Sequence, residues 1–489
     1  MTSERPDGSD RRAAARPRVL LLSTYDLGRQ PFGLASPAAW LRRAGIEVAV
    51  RDLAVEALDL AQLREADCIG LHLPMHTATR IAVELIPRIR AANPGARLIG
   101  YGLYAPLNAE RLMGLGVEAC IGGEYEAALV EAVLGRAGSG SPRASGDGPL
   151  AGPTDPVRIS LDRLDFAVPD RTGLPALRDY AGLELGRGHR RVVGYTEASR
   201  GCKHLCRHCP VVPVYAGRFR VIPVAVVLED IRRQVAAGAE HISFGDPDFL
   251  NGPGHALRVA RALHAAFPEL SWDATIKVEH LRLHAELLPE LRAAGCILIT
   301  SAVEAVDAAA LEAFDKRHTA ADLAAAVAAC RAADITLNPT FVAFHPWLSL
   351  AGYRELLAAV AALDLVDQVA PVQLAIRLLL PAGSKLLELP EVAALAGDFD
   401  PAALAHPWQH PDPRVDALQR RVEAEVAASV EAGRSRRATF ARLWRLASAA
   451  LGEPEAPLPA GAAERAPAPG GDQVTDRAPI PYLTEPWYC

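Results

Sequence analysis

Three cysteines within a short segment constrain this chain more than any other feature of its sequence. Cys202, Cys206 and Cys209 are spaced Cys-x3-Cys-x2-Cys and supply three thiolates from a single loop. A cubane [4Fe-4S] cluster needs four ligands, so one iron would stay open to a small chelating molecule. A zinc loop is the alternative that His204 and His208 keep open, although it would require a fourth nearby Cys or His.

The segment from Gly201 to Cys209 resembles the cluster motif of the radical S-adenosylmethionine (SAM) enzymes. In that family the open iron binds the amino and carboxylate groups of SAM, and the reduced cluster cleaves SAM to a 5'-deoxyadenosyl radical. The resemblance implies that Cys202, Cys206 and Cys209 are the metal ligands. It also implies that the ring of His208 packs on adenine, because this position is often aromatic in the family.

Composition indicates a folded intracellular enzyme. The chain has 489 residues, 50% hydrophobic content and 22% charged content, which suit two or three domains with substantial cores. A net charge of -6 gives no sign of a nucleic-acid surface. No apolar run approaches the length of a membrane span, and eight cysteines do not form a dense disulfide framework. We therefore expect a cytoplasmic protein without a membrane partner.

Gly/Pro-rich stretches divide the chain into segments. The predicted organisation is a polar tail at 1–17, a first domain at 18–135, a linker at 136–156, a second domain at 157–400, a helical extension at 401–452, a linker at 453–478 and a Cys-ending tail at 479–489.

The first domain alternates apolar strand patterns with helical patterns. Five continuous apolar runs read as buried parallel strands, at 18–23, 47–50, 68–71, 97–100 and 119–121. They predict a five-stranded doubly wound α/β sheet with a ligand crevice at the carboxyl ends of its strands.

The order of these features resembles the cobalamin-binding domain that precedes many radical SAM modules. The resemblance implies that the turn Gly122, Gly123 and Glu124 binds cofactor, since the last strand of that domain typically ends in a similar turn. The chain lacks the Asp-x-His-x-x-Gly loop that supplies a lower axial His to cobalt; its counterpart is the stretch from Tyr25 to Gly28. A degenerate domain that has lost cobalamin remains the alternative.

The second domain repeats strand and helix after the cysteine loop. Strands are predicted at 192–195, 241–244, 271–275, 297–300, 337–342 and 374–379, with helices such as 224–237 and 281–294 between them. Six units fit the partial (β/α)6 barrel of a radical SAM core, with active residues at the carboxyl ends of the strands. Amphipathic helices over 414–451 are expected to cover its open side.

Polar residues after these strands are candidate SAM contacts. By resemblance, Gly245 allows close backbone approach and Asp246 accepts a hydrogen bond from the SAM ammonium. Ser301 and Glu304 resemble the family's Ser-x-Glu position near the ribose and the methionyl part. A plain Asx turn at Asp246 and a helix cap at Glu304 are the structural alternatives.

The C-terminus becomes aromatic again after a polar linker and stops at Cys489. A disordered tail has no reason to recover two Tyr and a Trp, so this segment is expected to dock. It resembles tails of cobalamin-domain radical SAM proteins that end Cys-Cys-Ala-Glu-Pro, or the same with selenocysteine second. Reading a selenocysteine UGA codon as stop would end the chain at Cys489, which becomes a candidate catalytic residue; a natural terminus is the alternative.

Together these features predict a radical SAM enzyme that modifies an unactivated carbon, by methyl transfer if cobalamin is bound. Radical transfer of sulfur or of an aminocarboxypropyl group, with the C-terminal Cys participating, is the alternative outcome. A non-catalytic iron-sulfur or zinc redox protein is the alternative class. Expected partners are a small-molecule or peptide substrate and an electron donor such as flavodoxin or ferredoxin.

Overall fold

A parallel sheet forms the N-terminal part of the protein, in a computed structural model that describes residues 16–135, 155–186, 188–463 and 481–485. Its strand order is β2-β1-β3-β4-β5-β6. These strands are β1 (Arg18–Ser23), β2 (Glu47–Asp52), β3 (Cys68–His72), β4 (Arg97–Tyr101), β5 (Ala119–Gly123) and β6 (Val157–Ser160). The reversal of order between β1 and β3 makes this a doubly wound sheet, whose ligands bind beyond the carboxyl ends of the strands.

Helices cover both faces of this first sheet, and each face has its own core. The helices are α1 (Phe32–Arg43), α2 (Leu60–Glu65), α3 (His76–Ala92), α4 (Ala109–Gly114) and α5 (Tyr125–Val133). One core joins α1 and α5 to the sheet, and the other joins α2, α3 and α4 to the opposite face. The continuous apolar strand runs follow from this arrangement, since both faces of each strand are buried.

The first sheet has six strands where the sequence predicted five. The additional strand, β6, lies at the edge and pairs in parallel with β5, so that Gly123 stands beside Ser160. Its sequence Val-Arg-Ile-Ser contains no continuous apolar run, because an edge strand is only partly covered. The segment expected to open the second domain thus starts within the first sheet.

A second sheet follows, in the order β14-β13-β12-β11-β8-β7-β15. Five strands are parallel: β8 (Arg190–Thr196), β11 (His241–Phe244), β12 (Ser271–Thr275), β13 (Cys296–Glu304) and β14 (Thr336–Phe341). Two short strands, β7 (Gly182–Glu184) and β15 (Tyr482–Leu483), extend it in antiparallel fashion. A separate hairpin, β9 (Ser199–Gly201) and β10 (Phe219–Val221), follows β8.

The helices of this part alternate with the strands. They are α6 (Val212–Tyr215), α7 (Val224–Ala236), α8 (Pro253–Ala266), α9 (Val278–Leu283), α10 (Leu288–Ala293), α11 (Ala308–Ala313), α12 (Ala320–Ala332), α13 (Leu350–Ala362) and α14 (Pro390–Ala393). Sequence patterning predicted one helix over 281–294, but the chain forms α9, a short turn and α10. Pro289 lies in the first turn of α10, where its missing N–H costs no helical hydrogen bond.

The predicted sixth strand of the barrel, 374–379, is replaced by a short contact. Residues Pro371–Leu374 form a 3-10 turn, and the chain then meets the end of β14 in a single parallel bridge between Phe344 and Arg377. Two backbone hydrogen bonds make that bridge, from Phe344 N to Ile376 O and from Leu378 N to Phe344 O. The barrel is therefore more open on this side than a full sixth strand would leave it.

Two long helices close the C-terminal side, α15 (Pro413–Glu431) and α16 (Arg436–Ala450). Arg437 of α16 donates to the buried carboxylate of Asp367 at 2.7 Å, which ties this helix pair to the segment that follows α13. Strand β15 of the tail docks on β7, and the hydroxyl of Tyr25 donates to Glu485 at 2.5 Å. Among the described residues, no helix combines the length and apolarity required to cross a bilayer.

Candidate active site

The cysteine loop connects the two strands of the β9–β10 hairpin, and Asn251 holds its beginning. The Oδ1 atom of Asn251 accepts from the backbone N–H of Lys203 at 3.2 Å and lies 3.6 Å from Cys202 Sγ. Its Nδ2 donates to the carbonyl of Gly201 at 3.4 Å. One amide thus contacts three consecutive residues, which fixes the position of the first cysteine.

None of the three loop cysteines forms a disulfide, so their sulfurs are available as metal ligands. The backbone N–H of Cys209 donates to the carbonyl of Cys206 at 3.1 Å, so these two cysteines share a tight turn. Burial, together with the nearby charges of Asp248 and Cys206, raises the pKa of the Cys202 thiol to about 11. The protein alone does not favour a thiolate at Cys202; a bound metal must supply that stabilisation. The donor set fits a cluster held by three sulfurs.

A buried charged group lies next to the last cysteine of the loop. His208 Nε2 is 3.0 Å from Glu304 Oε1, and Lys316 Nζ is 3.2 Å from the same oxygen. Burial would raise the pKa of Glu304, but Lys316 and His208 outweigh it and lower that pKa to about 2. The ring of His208 also lies against Phe314, with centroids 4.7 Å apart. Glu304 therefore presents a permanent negative charge beside the cluster loop.

The backbone of Glu304 is in the left-handed region, with φ of 70°. A non-glycine residue in this region carries a conformational cost that the surrounding structure must offset. The flanking hydrogen bond from Val342 N to Glu304 O, at 2.8 Å, helps to hold it there. Such strain is typical of residues whose side chain is held in a functional position.

Asp246 contacts the start of the β9–β10 hairpin, and both of its carboxylate oxygens accept hydrogen bonds. Oδ2 accepts from the backbone N–H of Ala198 at 2.9 Å, and Oδ1 accepts from the hydroxyl of Ser199 at 2.5 Å. Burial raises the pKa of Asp246 to about 7. Gly245 has no room for a side chain, since an added Cβ would lie 1.9 Å from the Tyr195 hydroxyl oxygen. These contacts position the hairpin; the predicted contact of Asp246 with the SAM ammonium stays a prediction.

Ser301 lies within β13 and is fully buried. Its hydroxyl has no hydrogen-bond partner in the part of the chain that the structure describes. An unpaired buried hydroxyl at the carboxyl end of a barrel strand is a ready contact for a bound ligand.

A second charged cluster, which we call the His204 cluster, contains His204, Asp248, His280, Glu279 and Lys277. His280 Nδ1 lies 2.6 Å from Asp248 Oδ2, and His204 Nε2 lies 3.5 Å from that oxygen. Burial would raise the pKa of Asp248, but the two histidines hold it well below its usual range. Ligand atoms of Cys202, His204 and Asp248 also lie within 4.8 Å of one another, which is close enough to share a metal ion.

The predicted cofactor turn, residues 122–124 at the carboxyl end of β5, faces the β9–β10 hairpin. Gly123 has φ of 72°, and an added Cβ would lie 2.1 Å from the carbonyl of Ser160; a Cβ on Gly122 would lie 2.6 Å from Pro106. Glu124 is fully buried. Its carboxylate accepts hydrogen bonds from the hydroxyl of Tyr215 at 3.3 Å and from Nη1 of Arg200 at 3.4 Å. The side chain of Glu124 thus joins the first sheet to α6 and to the β9–β10 hairpin.

A cavity of about 190 Å³ lies between these two parts of the protein. The loops after β3, β4 and β5 line it from one side, and the β9–β10 hairpin lines it from the other. His72 borders this cavity, and its Nδ1 has no hydrogen-bond partner among the described residues. Burial lowers the pKa of His72 to about 3, with a further contribution from Arg200, so its ring is neutral.

A smaller cavity of about 60 Å³ lies at the open side of the barrel. His208 and Glu304 line one end, and Tyr104 reaches it from the first part of the protein. The remaining lining is largely apolar, with the polar side chains of Thr340, Gln373 and Arg377 at its margin.

The sequence profile of the radical SAM superfamily matches residues 196–346, from the end of β8 to just beyond β14. This range contains the cysteine loop, the His204 cluster and the pair of His208 with Glu304. The protein therefore carries a radical SAM domain and is an enzyme.

Among curated proteins, the chain is similar to hopanoid C-3 methylase of Methylococcus capsulatus. The two are 26% identical over 348 residues, which cover 68% of this chain and 64% of that protein. The chain thus spans less than two thirds of the length of this relative.

Solved structures of cobalamin-dependent radical SAM enzymes share the fold. The methyltransferase TsrM of Kitasatospora setae, solved with tryptophan and a SAM analogue, is 20% identical with a TM-score of 0.59 over 78% of this chain and 77% of that chain. OxsB, solved with aqua-cobalamin and SAM, is 13% identical with a TM-score of 0.63 over 85% of this chain and 67% of that chain. Another TsrM structure holds cobalamin and a [4Fe-4S] cluster. The cofactors in these structures are the set expected from the sequence.

Several residues of the site escaped the sequence analysis or were left without a role. Asn251 and His72 belong to no sequence motif, and their roles depend on contacts between segments that are distant in sequence. Lys316 and Arg200 belong to no motif either, yet both are buried in ion pairs. Cys489 lies outside the described residues, so its candidate catalytic role stays a prediction.

Proposed function

We propose that this protein is a radical SAM methyltransferase that uses cobalamin and modifies an unactivated carbon. One observation supports the proposal: Gly201 and Val211, which flank the cysteine loop, border the same cavity as the carboxyl ends of the first sheet. When bound, a [4Fe-4S] cluster supplies the electron that cleaves SAM, and cobalamin supplies a methyl group. An arrangement that brings both cofactor positions to one cavity suits that pairing.

Cys202, Cys206 and Cys209 would hold the cluster. Glu304, with its pKa lowered to about 2, would accept hydrogen bonds from the ribose hydroxyls of SAM, and Ser301 would offer its unpaired hydroxyl. His208 would pack on adenine while its Nε2 keeps Glu304 oriented. Gly122 and Gly123 would let the backbone approach cobalamin.

Cobalamin requires the first cavity to widen. A drug-sized ligand occupies a pocket of roughly 300–1,000 Å³, and the cavity beside His72 measures about 190 Å³. Part of its wall consists of loops and a two-stranded hairpin, which can move more easily than packed strands. The neutral ring of His72 and the glycine turn give this cavity an uncharged lining on the side of the first sheet.

The second cavity, whose lining is largely apolar, supports a proposal about the substrate class. An apolar lining next to Glu304 favours a substrate whose reacting carbon is part of a hydrocarbon. Hopanoid C-3 methylase is named for a substrate of this kind, which supports an apolar substrate for this protein.

The proposal is tested on anaerobically reconstituted protein supplied with hydroxocobalamin and reduced chemically. We expect about four irons per chain, bound cobalamin and release of 5'-deoxyadenosine from SAM. Methyl transfer from labelled SAM to an apolar extract fraction would identify the product. A protein that holds iron and cleaves SAM but takes up no cobalamin would instead support sulfur or aminocarboxypropyl transfer.

A zinc site is the second candidate, because Cys202, His204 and Asp248 lie close enough to bind one ion. This set uses one of the three loop cysteines and excludes Cys206 and Cys209. One zinc per chain without iron after anaerobic reconstitution, lost in His204→Ala but kept in Cys209→Ala, would favour this candidate.

The C-terminal tail gives a separate proposal, that Cys489 reaches the active site as a soft nucleophile or ligand. Its support is the tail motif and the docking of β15 against β7, beside the contact of Glu485 with Tyr25. An in-frame UGA codon after Cys489, followed by codons for Ala-Glu-Pro, would support a selenocysteine there. An ordinary stop codon, with unchanged product formation after deletion of residues 479–489, would contradict it.

A further inference from the structure

Two short segments separate the first cavity, of about 190 Å³, from the second, of about 60 Å³. In the segment after β4, Leu103 borders the first cavity and its neighbour Tyr104 borders the second. In the segment after the last loop cysteine, Pro210 borders the second cavity and Val211 borders the first. No residue in the described ranges borders both cavities. We call residues 103–104 and 210–211 the partition.

The two halves of the partition come from different parts of the protein, and the segments that continue them approach each other. Gly383 lies between these segments, since a Cβ added to it would be 3.6 Å from Leu107 Cδ2 and 3.9 Å from Pro213 Cβ. The partition therefore lies where the first sheet meets the chain that leaves the cysteine loop.

The backbone of the segment after β4 is fixed, so a side chain is the part of it that can give way. The N–H of Gly102 donates to the carbonyl of Ile121 at 2.9 Å, and the N–H of Tyr104 donates to the carbonyl of Leu73 at 2.9 Å. Leu103 lies between these two anchored residues and is half-buried against the core of the first sheet. Its side chain can change rotamer while the backbone hydrogen bonds stay in place.

We propose that Leu103 determines how far a group carried by cobalamin can extend toward the substrate. This inference rests on the proposed function, in which a methyl group passes from the cofactor in the first cavity to a substrate carbon in the second. Reacting atoms must approach within about 3–3.5 Å, so the two cavities have to join at the partition. A smaller side chain at this position would admit a longer group, and a larger one would exclude it by overpacking.

The test uses alkylcobalamins of two lengths as probes and measures binding rather than turnover. Methylcobalamin and n-propylcobalamin are bound to the reconstituted holoenzyme in the dark, and equilibrium dialysis gives the dissociation constant of each. The ratio of the propyl to the methyl constant cancels any general change in cobalamin affinity. For the wild type we expect a ratio of about ten, because the longer alkyl group overpacks the partition. Leu103→Ala should lower the ratio to about three or less.

Leu103→Phe tests the opposite direction and should raise the ratio above that of the wild type. Leu115 offers a matched control, because it is also half-buried against the same core and borders neither cavity. Leu115→Ala and Leu115→Phe should keep the wild-type ratio.

Equal ratios in the wild type and both Leu103 variants would overturn the proposal, and so would equal changes in the Leu115 variants. A wild-type protein that binds hydroxocobalamin and shows this result would leave the proposed function standing. A wild-type protein that binds no hydroxocobalamin would instead overturn the proposed function, and this inference with it.

Discussion

Arg200 donates two hydrogen bonds to Glu126, at 2.6 and 2.9 Å, and both side chains are buried. Arg200 belongs to β9 and stands two residues before the first cysteine of the loop, whereas Glu126 lies in the first turn of α5. Glu197 accepts from the same guanidinium at 2.7 Å, and Ser36 donates to Glu126 at 2.6 Å. This pair therefore ties the cysteine loop to the predicted cofactor turn of the first sheet.

Arg200→Met should destabilise the protein strongly, because it leaves Glu124 and Glu126 buried without their cation. Removing one partner of a buried ion pair typically costs about 3–5 kcal/mol. Urea unfolding gives the change in the free energy of unfolding. As a control, Arg97→Met breaks the exposed pair with Glu118 at 2.9 Å and should cost below about 1 kcal/mol. Similar losses for both variants would contradict a special role for Arg200.

Stability should fall as pH rises from about 4.5 to about 7, in part because of Glu124. Burial raises the pKa of Glu124 from 4.5 to about 7, with Glu126 and Glu197 raising it and Arg200 lowering it. The folded state then binds a proton that the unfolded state has already released in this range, so each step toward higher pH favours unfolding. Above about pH 7 the effect is complete.

Glu124→Gln imitates the protonated carboxyl and should remove this contribution. The midpoint of thermal unfolding, measured from pH 4.5 to 8, should decline less steeply in the variant than in the wild type. Glu84→Gln, at an exposed position of α3, should keep the wild-type slope. Parallel curves for Glu124→Gln and the wild type would show that Glu124 does not titrate as described.

Alanine at Cys202, Cys206 or Cys209 should remove most iron and all cleavage of SAM, since three thiolates are the minimum for a cluster with one open iron. Cys330→Ala is the matched control, because Cys330 is a free and buried cysteine of α12. It should retain iron and activity. A full four-iron cluster in Cys206→Ala, measured by iron analysis and electron paramagnetic resonance, would refute the assignment.

Asn251→Ala should loosen the first cysteine without removing a ligand. The variant loses the contacts with Gly201 O, Lys203 N and Cys202 Sγ, so the loop should hold its cluster less firmly. We expect severalfold faster loss of iron to a chelator, followed by absorbance, with the same iron content immediately after reconstitution. Asn93→Ala is the control. Asn93 follows α3, and its side-chain amide donates to the carbonyl of Leu63 in α2, far from the cysteine loop in sequence. Its removal should not accelerate iron loss.

Cobalamin bound to this protein should receive no histidine from the loop between Tyr25 and Gly28, which contains none. His72→Leu should weaken cobalamin binding severalfold, because it removes the unpaired Nδ1 from the cavity wall. The paramagnetic resonance spectrum of the Co(II) form should be the same in both proteins. A nitrogen splitting that is present in the wild type and lost in the variant would instead make His72 a cobalt ligand.

Local patterns predicted most of the regular structure. The buried strands of both sheets start within two residues of the predicted starts, because a strand covered on both faces reads as a continuous apolar run. The end of β13 differs, since this strand extends four residues beyond its predicted end, to Glu304. The edge strand β6 and the interrupted segment at 374–379 were predicted wrongly or not at all. Their pairing depends on distant partners and leaves little periodic signal in the sequence.

The sequence by itself determined the cysteine loop, since three ligands at fixed spacing are a local property of one segment. The alternation of elements also placed Glu304 near the carboxyl end of a barrel strand, although that strand was predicted to end at residue 300 and in fact includes Glu304. Only the tertiary structure decided which charges meet. The pairing of Arg200 with Glu126, of Lys316 with Glu304 and of His280 with Asp248 joins segments whose separation in sequence carries no pattern. Burial then sets the pKa of each group, and burial exists only once the chain has folded.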